Sequence, residues 1–208
     1  MSELLEVEYI RRRERLLPAR ACLLVVDIQE RLIPAMPPEI AAQVIKNTQI
    51  LINAMAHFCL PIVVSQQYPK GLGPTVPPIA EALAAAEAAG SAVYRFDKVH
   101  FSAAAAPEFA ELPPAIKQGA LMEREQWLVC GMETHVCVYQ TVRDLVGPAC
   151  AVHVVADAVC SRTKANWKIG LELARETGAR VTSTEVIVFD LLGQAGTDSF
   201  KALSRTIR

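Results

Sequence analysis

Three side chains in this sequence share a chemical logic: Asp27 in VVDIQE, Lys98 in FDKVHFSA and Cys137 in GMETHVCV. A thiol attacks a carbonyl carbon only after giving up its proton, so it needs a base. A carboxylate in that role needs a cation to orient it and balance the developing charge. Cys, Asp and Lys supply those three parts. Taken singly, each has a plainer role: a post-strand Asp caps or turns the chain, a loop Lys is solvated, and a Cys in a helix packs. Only their joint placement separates chemistry from packing.

The positioning elements are legible as apolar runs that alternate with segments of helical period. ACLLVV (21–26) reads as a buried strand and 39–58 as a helix in which Ile40, Val44, Leu51, Met55 and Phe58 share a face. LPIVVSQ (60–66) is a second strand. The Pro- and Gly-rich loop 68–78, an alanine-rich helix ending near Gly90 and the strand SAVYRF (91–96) follow. A Pro-interrupted helical region spans 107–118, QWLVCGM (126–132) is a fourth strand, and the helix after it runs from Thr134 to about Leu145. CAVHVVAD (150–157) is a fifth strand, 164–177 a helix stopped by Gly178, and ARVTS (179–183) a sixth strand. Thr182 and Glu185 resemble a capping box opening a last helix that stops near Gly193.

Such alternation implies a three-layer α/β/α unit around a mainly parallel sheet, in which ligands bind beyond the carboxyl ends of the strands. Asp27 ends the first strand, Lys98 follows the third, and Cys137 lies in the first turn after the fourth. Neighbouring strands are about 4.8 Å apart, within reach of a long Lys side chain. The free amides and positive dipole end of that turn are expected to favour a thiolate and to hold an oxyanion.

Composition narrows the partners. A chain of 208 residues fits one domain, with 1–18 as an N-terminal extension. Its 21 basic and 22 acidic residues nearly cancel, so no overall field draws nucleic acid or an anionic membrane. The arginines at 11, 12, 13 and 15, interrupted by Glu14, read as a solvated face. The opening stretch carries four acidic residues and lacks the apolar core of a signal peptide, and no run approaches the ~20 residues of a membrane span. A cytoplasmic location is expected. Six cysteines form no C-x-x-C pair, which points to neither a disulfide framework nor a zinc site. At 52% hydrophobic residues, the chain has apolar surface to cover, and a homo-oligomer is expected.

VVDIQE, FDKVHFSA and GMETHVCV together resemble the three signature segments of the isochorismatase-like cysteine hydrolase superfamily, along essentially the whole chain. The resemblance implies a six-stranded parallel sheet of order 3-2-1-4-5-6, with the first and fourth strands side by side. It implies Cys137 as nucleophile, Asp27 as base and Lys98 as the group orienting Asp27. A cis peptide joining Met132 to Glu133, and an oxyanion hole from the backbone amides of Glu133 and Cys137, are implied in the same way.

Two departures from the family's patterns shape the expected activity. Nicotinamidases of the superfamily carry metal-binding histidines after the second strand, where this chain reads SQQYPKGLGPT, so no metal or other cofactor is expected. Members that hydrolyse isochorismate often lack the cysteine that this chain keeps. The segments resemble instead the metal-free isochorismatase-domain proteins. The expected activity is therefore cysteine-dependent hydrolysis of a small amide or related C–N bond through a thioester. A catalytically idle binding protein and a thiol redox protein are the alternatives.

Other residues near the strand ends carry two readings each. Gln29, Gln66, Phe101 and Glu133 either line the substrate pocket or serve the fold. His135 points away from Cys137 at a two-residue helical spacing, and His100 borders the site or is simply exposed. Asp157 and Arg162 read as a turn-stabilising ion pair. GLG (71–73) lacks the third glycine of a dinucleotide fingerprint.

Overall fold

The central strands are apolar along their whole length because both of their faces are covered. In the computed structural model, which describes residues 15–112, 125–147 and 150–207, β1 (Ala21–Val26) and β4 (Gln126–Met132) are buried at every position. β2 (Ile62–Gln67), β3 (Val93–Lys98), β5 (Ala151–Cys160) and β6 (Arg180–Thr182) complete one six-stranded sheet of order β3-β2-β1-β4-β5-β6. Every pairing is parallel. The order expected from the resemblance is the observed one.

Helices cover both faces. Among the described residues, those of eight or more residues are α1 (Pro38–His57), α2 (Pro77–Ala88), α4 (Lys164–Glu176) and α5 (Thr184–Leu192); α3 (Tyr139–Leu145) and α6 (Asp198–Leu203) are shorter. One core layer packs Leu51 and Met55 of α1, Leu83 of α2 and Ile187 of α5 against Leu23 and Val25. The opposite layer packs Val142 of α3 and Leu171 of α4 against Cys22, Leu24 and Val26. Alternate β1 side chains thus feed opposite layers, as the two-residue repeat of a strand requires.

Several local expectations shift. Lys98 is the last residue of β3 rather than a residue beyond it. β5 runs on to Cys160: Val129 faces Val154 but Gly131 faces Val159, so β5 takes more residues than β4 over the same span. The cap of α5 is Ser183, whose hydroxyl accepts from Val186 N, because β6 continues through Thr182. Ile40 does not join the buried face of α1 and is 43% exposed. The loop after β2 contains a helical turn, Pro69–Leu72. Of the helical region expected over 107–118, Pro107–Ala110 is a short helix and positions from 113 lie outside the described residues, as do 1–14 of the N-terminal extension. Among the described residues no helix is long and apolar enough to cross a membrane.

The register explains how the chemistry converges. Val26 sits between Ser65 and Gly131, and Gln67 sits beside Lys98. Asp27, Ser65, Lys98 and the residues after β4 therefore all emerge at one edge of the sheet, where the chain reverses its direction of winding.

Candidate active site

Asp27 leaves β1 with φ 51°, in the left-handed region that Asp tolerates better than most side chains. Its amide donates to the Ser65 carbonyl at 3.1 Å. Its carboxylate is fully buried; Oδ1 accepts from Ser65 Oγ at 2.8 Å and Oδ2 from Lys98 Nζ at 2.7 Å. The Lys98 ammonium also donates to Gln67 Oε1 at 2.7 Å and to the carbonyls of Phe101 (3.1 Å) and His100 (3.2 Å). A buried ion pair is tolerated only when its remaining protons and lone pairs are satisfied, and these partners satisfy them.

The thiol arrives from the other side. The Met132–Glu133 peptide is cis, and Thr134–Val138 form a wide π-type turn. Val136 N and Val138 N both donate to the Glu133 carbonyl, at 3.0 and 3.2 Å. In a regular α-turn the Cys137 amide would bond that oxygen; here it is not among its donors. Two glycines allow the turn to sit where it does. A Cβ on Gly131, whose φ is 118°, would lie 1.9 Å from the Val26 carbonyl oxygen. One on Gly170 of α4 would lie 2.8 Å from the backbone of Thr134 and His135.

Cys137 is buried, near enough to Asp27 for the carboxylate's charge to act on its thiol. Its thiol is pushed up to about 12, first by burial and then by the Asp27 charge, with Glu133 adding to the shift and Lys98 opposing it. The expectation that the turn's dipole yields a resting thiolate is therefore reversed: two carboxylates and low exposure outweigh one ammonium and a helix end. At neutral pH the thiol keeps its proton, and Asp27 is the neighbouring charge that acts on it most strongly.

The other candidates separate into roles. Gln29 is buried and bonds backbone only, donating to the carbonyls of Gln67 (3.1 Å) and Gly73 (2.6 Å) and accepting from Gln67 N (2.8 Å). Gln66 accepts from Thr75 N and Oγ1 and donates to Asp97 Oδ1. Both glutamines fasten the loop after β2. Phe101 is 54% exposed while its carbonyl accepts from Lys98. Glu133 accepts from Arg162 N at 2.9 Å and Nε at 3.1 Å. His135 Nδ1 lies 3.0 Å from Ser161 Oγ, and the exposed His100 meets Lys98 through its carbonyl. Asp157 does not pair with Arg162; its Oδ1 accepts from Thr184 N and Oγ1 at the start of α5.

Ser65 and Gln67 are the functional neighbours that sequence reasoning passed over. The signal for Ser65 was available: it is a lone hydroxyl at a fully buried position in a strand that otherwise begins IVV. A cavity of about 510 Å³ opens beside the end of β5, but Asp27, Lys98 and Cys137 do not line it. The geometry of the three residues, rather than the cavity, marks the candidate active site.

Comparison with known proteins bears on the family and the fold. Residues 21–186 match the isochorismatase domain. The secreted isochorismatase effector Isc1 of Phytophthora sojae is 37% identical over 203 residues, covering 95% of this chain and 89% of the relative. A structure described as the MAR1 ribonuclease from Caenorhabditis elegans superposes with a TM-score of 0.79 at 30% identity, covering 93% of this chain and 92% of that one. The YcaC gene product of Escherichia coli, described as an octameric hydrolase of unknown specificity, shares the fold with a TM-score of 0.77 at 18% identity, covering 93% and 90%. The chain belongs to the isochorismatase family and has the isochorismatase-like hydrolase fold.

Proposed function

We propose that the protein is a cysteine-dependent hydrolase of a small amide or related C–N substrate, working through a thioester. The observation that carries this reading is one buried carboxylate, Asp27, ion-paired to the Lys98 ammonium and near enough to the Cys137 thiol for its charge to act there. In the first half-reaction Asp27 takes the thiol proton as Cys137 Sγ bonds to the carbonyl carbon. The amides of Glu133 and Cys137 hold the oxyanion. The tetrahedral adduct then expels the amine, which leaves with the proton from Asp27. In the second, Asp27 takes a proton from water as the hydroxyl oxygen attacks the thioester. The carboxylic acid departs and Asp27 returns the proton to the thiolate.

Lys98 orients Asp27 through its hydrogen bond to Oδ2. No residue of this scheme requires a metal. The exposed Tyr68, Val99 and Phe101 flank the Lys98 end of the site, a surface suited to a small substrate or to a second copy of the chain. The octameric Escherichia coli neighbour supports a homo-oligomer as the working form. A cytoplasmic location belongs to the same reading; the Phytophthora sojae relative is named a secreted effector, and cell fractionation distinguishes the two.

The test is a screen of small amides and ureides with wild type and Cys137→Ala side by side, in the presence of a chelator and with RNA as one further substrate. Turnover by wild type alone, with an acyl adduct on Cys137 trapped by acid quench and mass spectrometry, is expected. Turnover that survives Cys137→Ala, or that occurs on RNA alone, contradicts the proposal.

A further inference from the structure

The cavity beside β5 is separate from the chemistry described so far. Its walls are Val44 from α1, Ala156 and Val159 from β5, and Trp167 from α4, with Ile40 at the rim. At about 510 Å³ it falls in the range of pockets that enclose small organic ligands, and its mostly apolar lining with few polar groups is the usual composition of such sites. It lies along the carboxyl-terminal half of β5 and Ser161 just after it, toward the edge of the sheet where ligands of open α/β folds bind.

The cavity is lined by one carboxylate, Asp157, and one exposed ammonium, Lys164, and only the carboxylate has its partners among the described residues. The Asp157 carboxylate at the cavity is engaged through Oδ1 by Thr184 N and Oγ1. Lys164, which also lines it, has no carboxylate within ion-pair distance among the described residues. Lys164 is moreover the first residue of α4, whose first turn contains no acidic side chain. A cation there faces the positive end of the helix dipole, an arrangement unfavourable in itself and relieved by an anion. A departure from local preference beside a ready-made cavity is where function is expected.

We propose that this cavity is a small-molecule site distinct from Cys137, and that it takes an amphipathic anion. An aromatic or branched apolar body rests against Trp167 and Val44, and a carboxylate meets Lys164. The proposal stands on the cavity's own geometry and does not depend on the reaction at Cys137.

Trp167 supplies the reporter. The chain has two tryptophans, so a Trp127→Phe background leaves Trp167 alone, and the probe pair is 2-naphthoate and its neutral counterpart 2-naphthamide. Saturable quenching of Trp167 is expected with both, about fivefold tighter for the anion, as one partly screened ion pair supplies. Lys164→Gln should bring naphthoate to the level of naphthamide. Gln43→Phe, which fills the cavity from the exposed surface of α1, should weaken both about tenfold, and Cys137→Ala should change neither.

Absence of saturable quenching at millimolar probe in folded protein overturns the site. Equal affinities, or indifference to Lys164→Gln, overturn the anion. Binding altered by Cys137→Ala but not by Gln43→Phe relocates the probe to the active site and overturns the separation. A change of oligomeric state in Gln43→Phe without loss of binding identifies the cavity as an interface between copies, which also overturns the proposal.

Discussion

The two sides of the active-site edge are held by different forces. On the β1–β2–β3 side, Asp27, Ser65, Gln67 and Lys98 form a buried polar network whose members fix one another through charge-assisted hydrogen bonds of 2.7–2.8 Å. On the β4–β5 side the cysteine turn is set by close backbone packing, with Gly131 against Val26 and Gly170 against Thr134 and His135. The first side sets the proton's affinity and the second sets the sulfur's position. Substitutions on the two sides should therefore fail differently.

The largest effect is expected on the polar side. Lys98→Met leaves a buried carboxylate without its cation and should destabilise the fold by about 3–5 kcal/mol in denaturant titration, with most of the loss recovered when Asp27→Asn is added. If the double variant is no better than the single one, the network is not held by charge.

The packed side contains one titratable group that breaks the contrast, His153 on β5. Burial, and then the charge of Arg180, lower its pKa from 6.5 to about 4, and its Nε2 has no hydrogen-bond partner. A depressed folded pKa contributes stability that is present above about pH 6.5 and is lost as pH falls toward about 4. The expected loss is about 3 kcal/mol. Thermal unfolding between pH 7 and 4 should show this decline, and His153→Phe should flatten it. An unchanged slope in the variant would assign the acid sensitivity to carboxylates rather than to His153.

A smaller and more selective effect belongs to Gly170→Ala. Its methyl group would press on the Thr134 and His135 backbone, costing about 2 kcal/mol in stability. Cys137 alkylation should slow at every pH by a similar factor, because the sulfur is displaced while the Asp27–Lys98 pair is untouched. A change in the shape of the pH profile instead would mean that the two sides are not separable.

The sequence made one side more legible than the other. Asp27, Lys98 and Cys137 stood out because each follows or closes an apolar run, and the continuous runs at 21–26 and 126–132 marked the two central strands between which a site forms. Ser65 and Gln67 were passed over because a hydroxyl or an amide has many possible partners, and those chosen lie 38 and 31 positions away. Gln29 and Gln66 show the same limit: residue type told that they bond, not that they bond the loop after β2. The helix cap moved from Thr182 to Ser183 because strand length decides which hydroxyl reaches the first turn. The thiol's state was misjudged for a further reason. A helix end is visible in sequence, whereas the burial and the second carboxylate, Glu133, that outweigh it appear only in three dimensions.

The central claim is that Asp27 takes the proton from Cys137, and the sign of one rate change tests it most directly. Iodoacetamide labelling near neutral pH, followed cysteine by cysteine by mass spectrometry, measures the rate at Cys137, with the exposed Cys59 as internal reference. In Asp27→Asn the rate at Cys137 should fall about 10²-fold, the loss expected when a general base is removed. The opposite sign is physically available, because the Asp27 charge also raises the thiol's pKa. Faster labelling of Cys137 in Asp27→Asn would show that Asp27 only suppresses the thiolate, and would contradict the account.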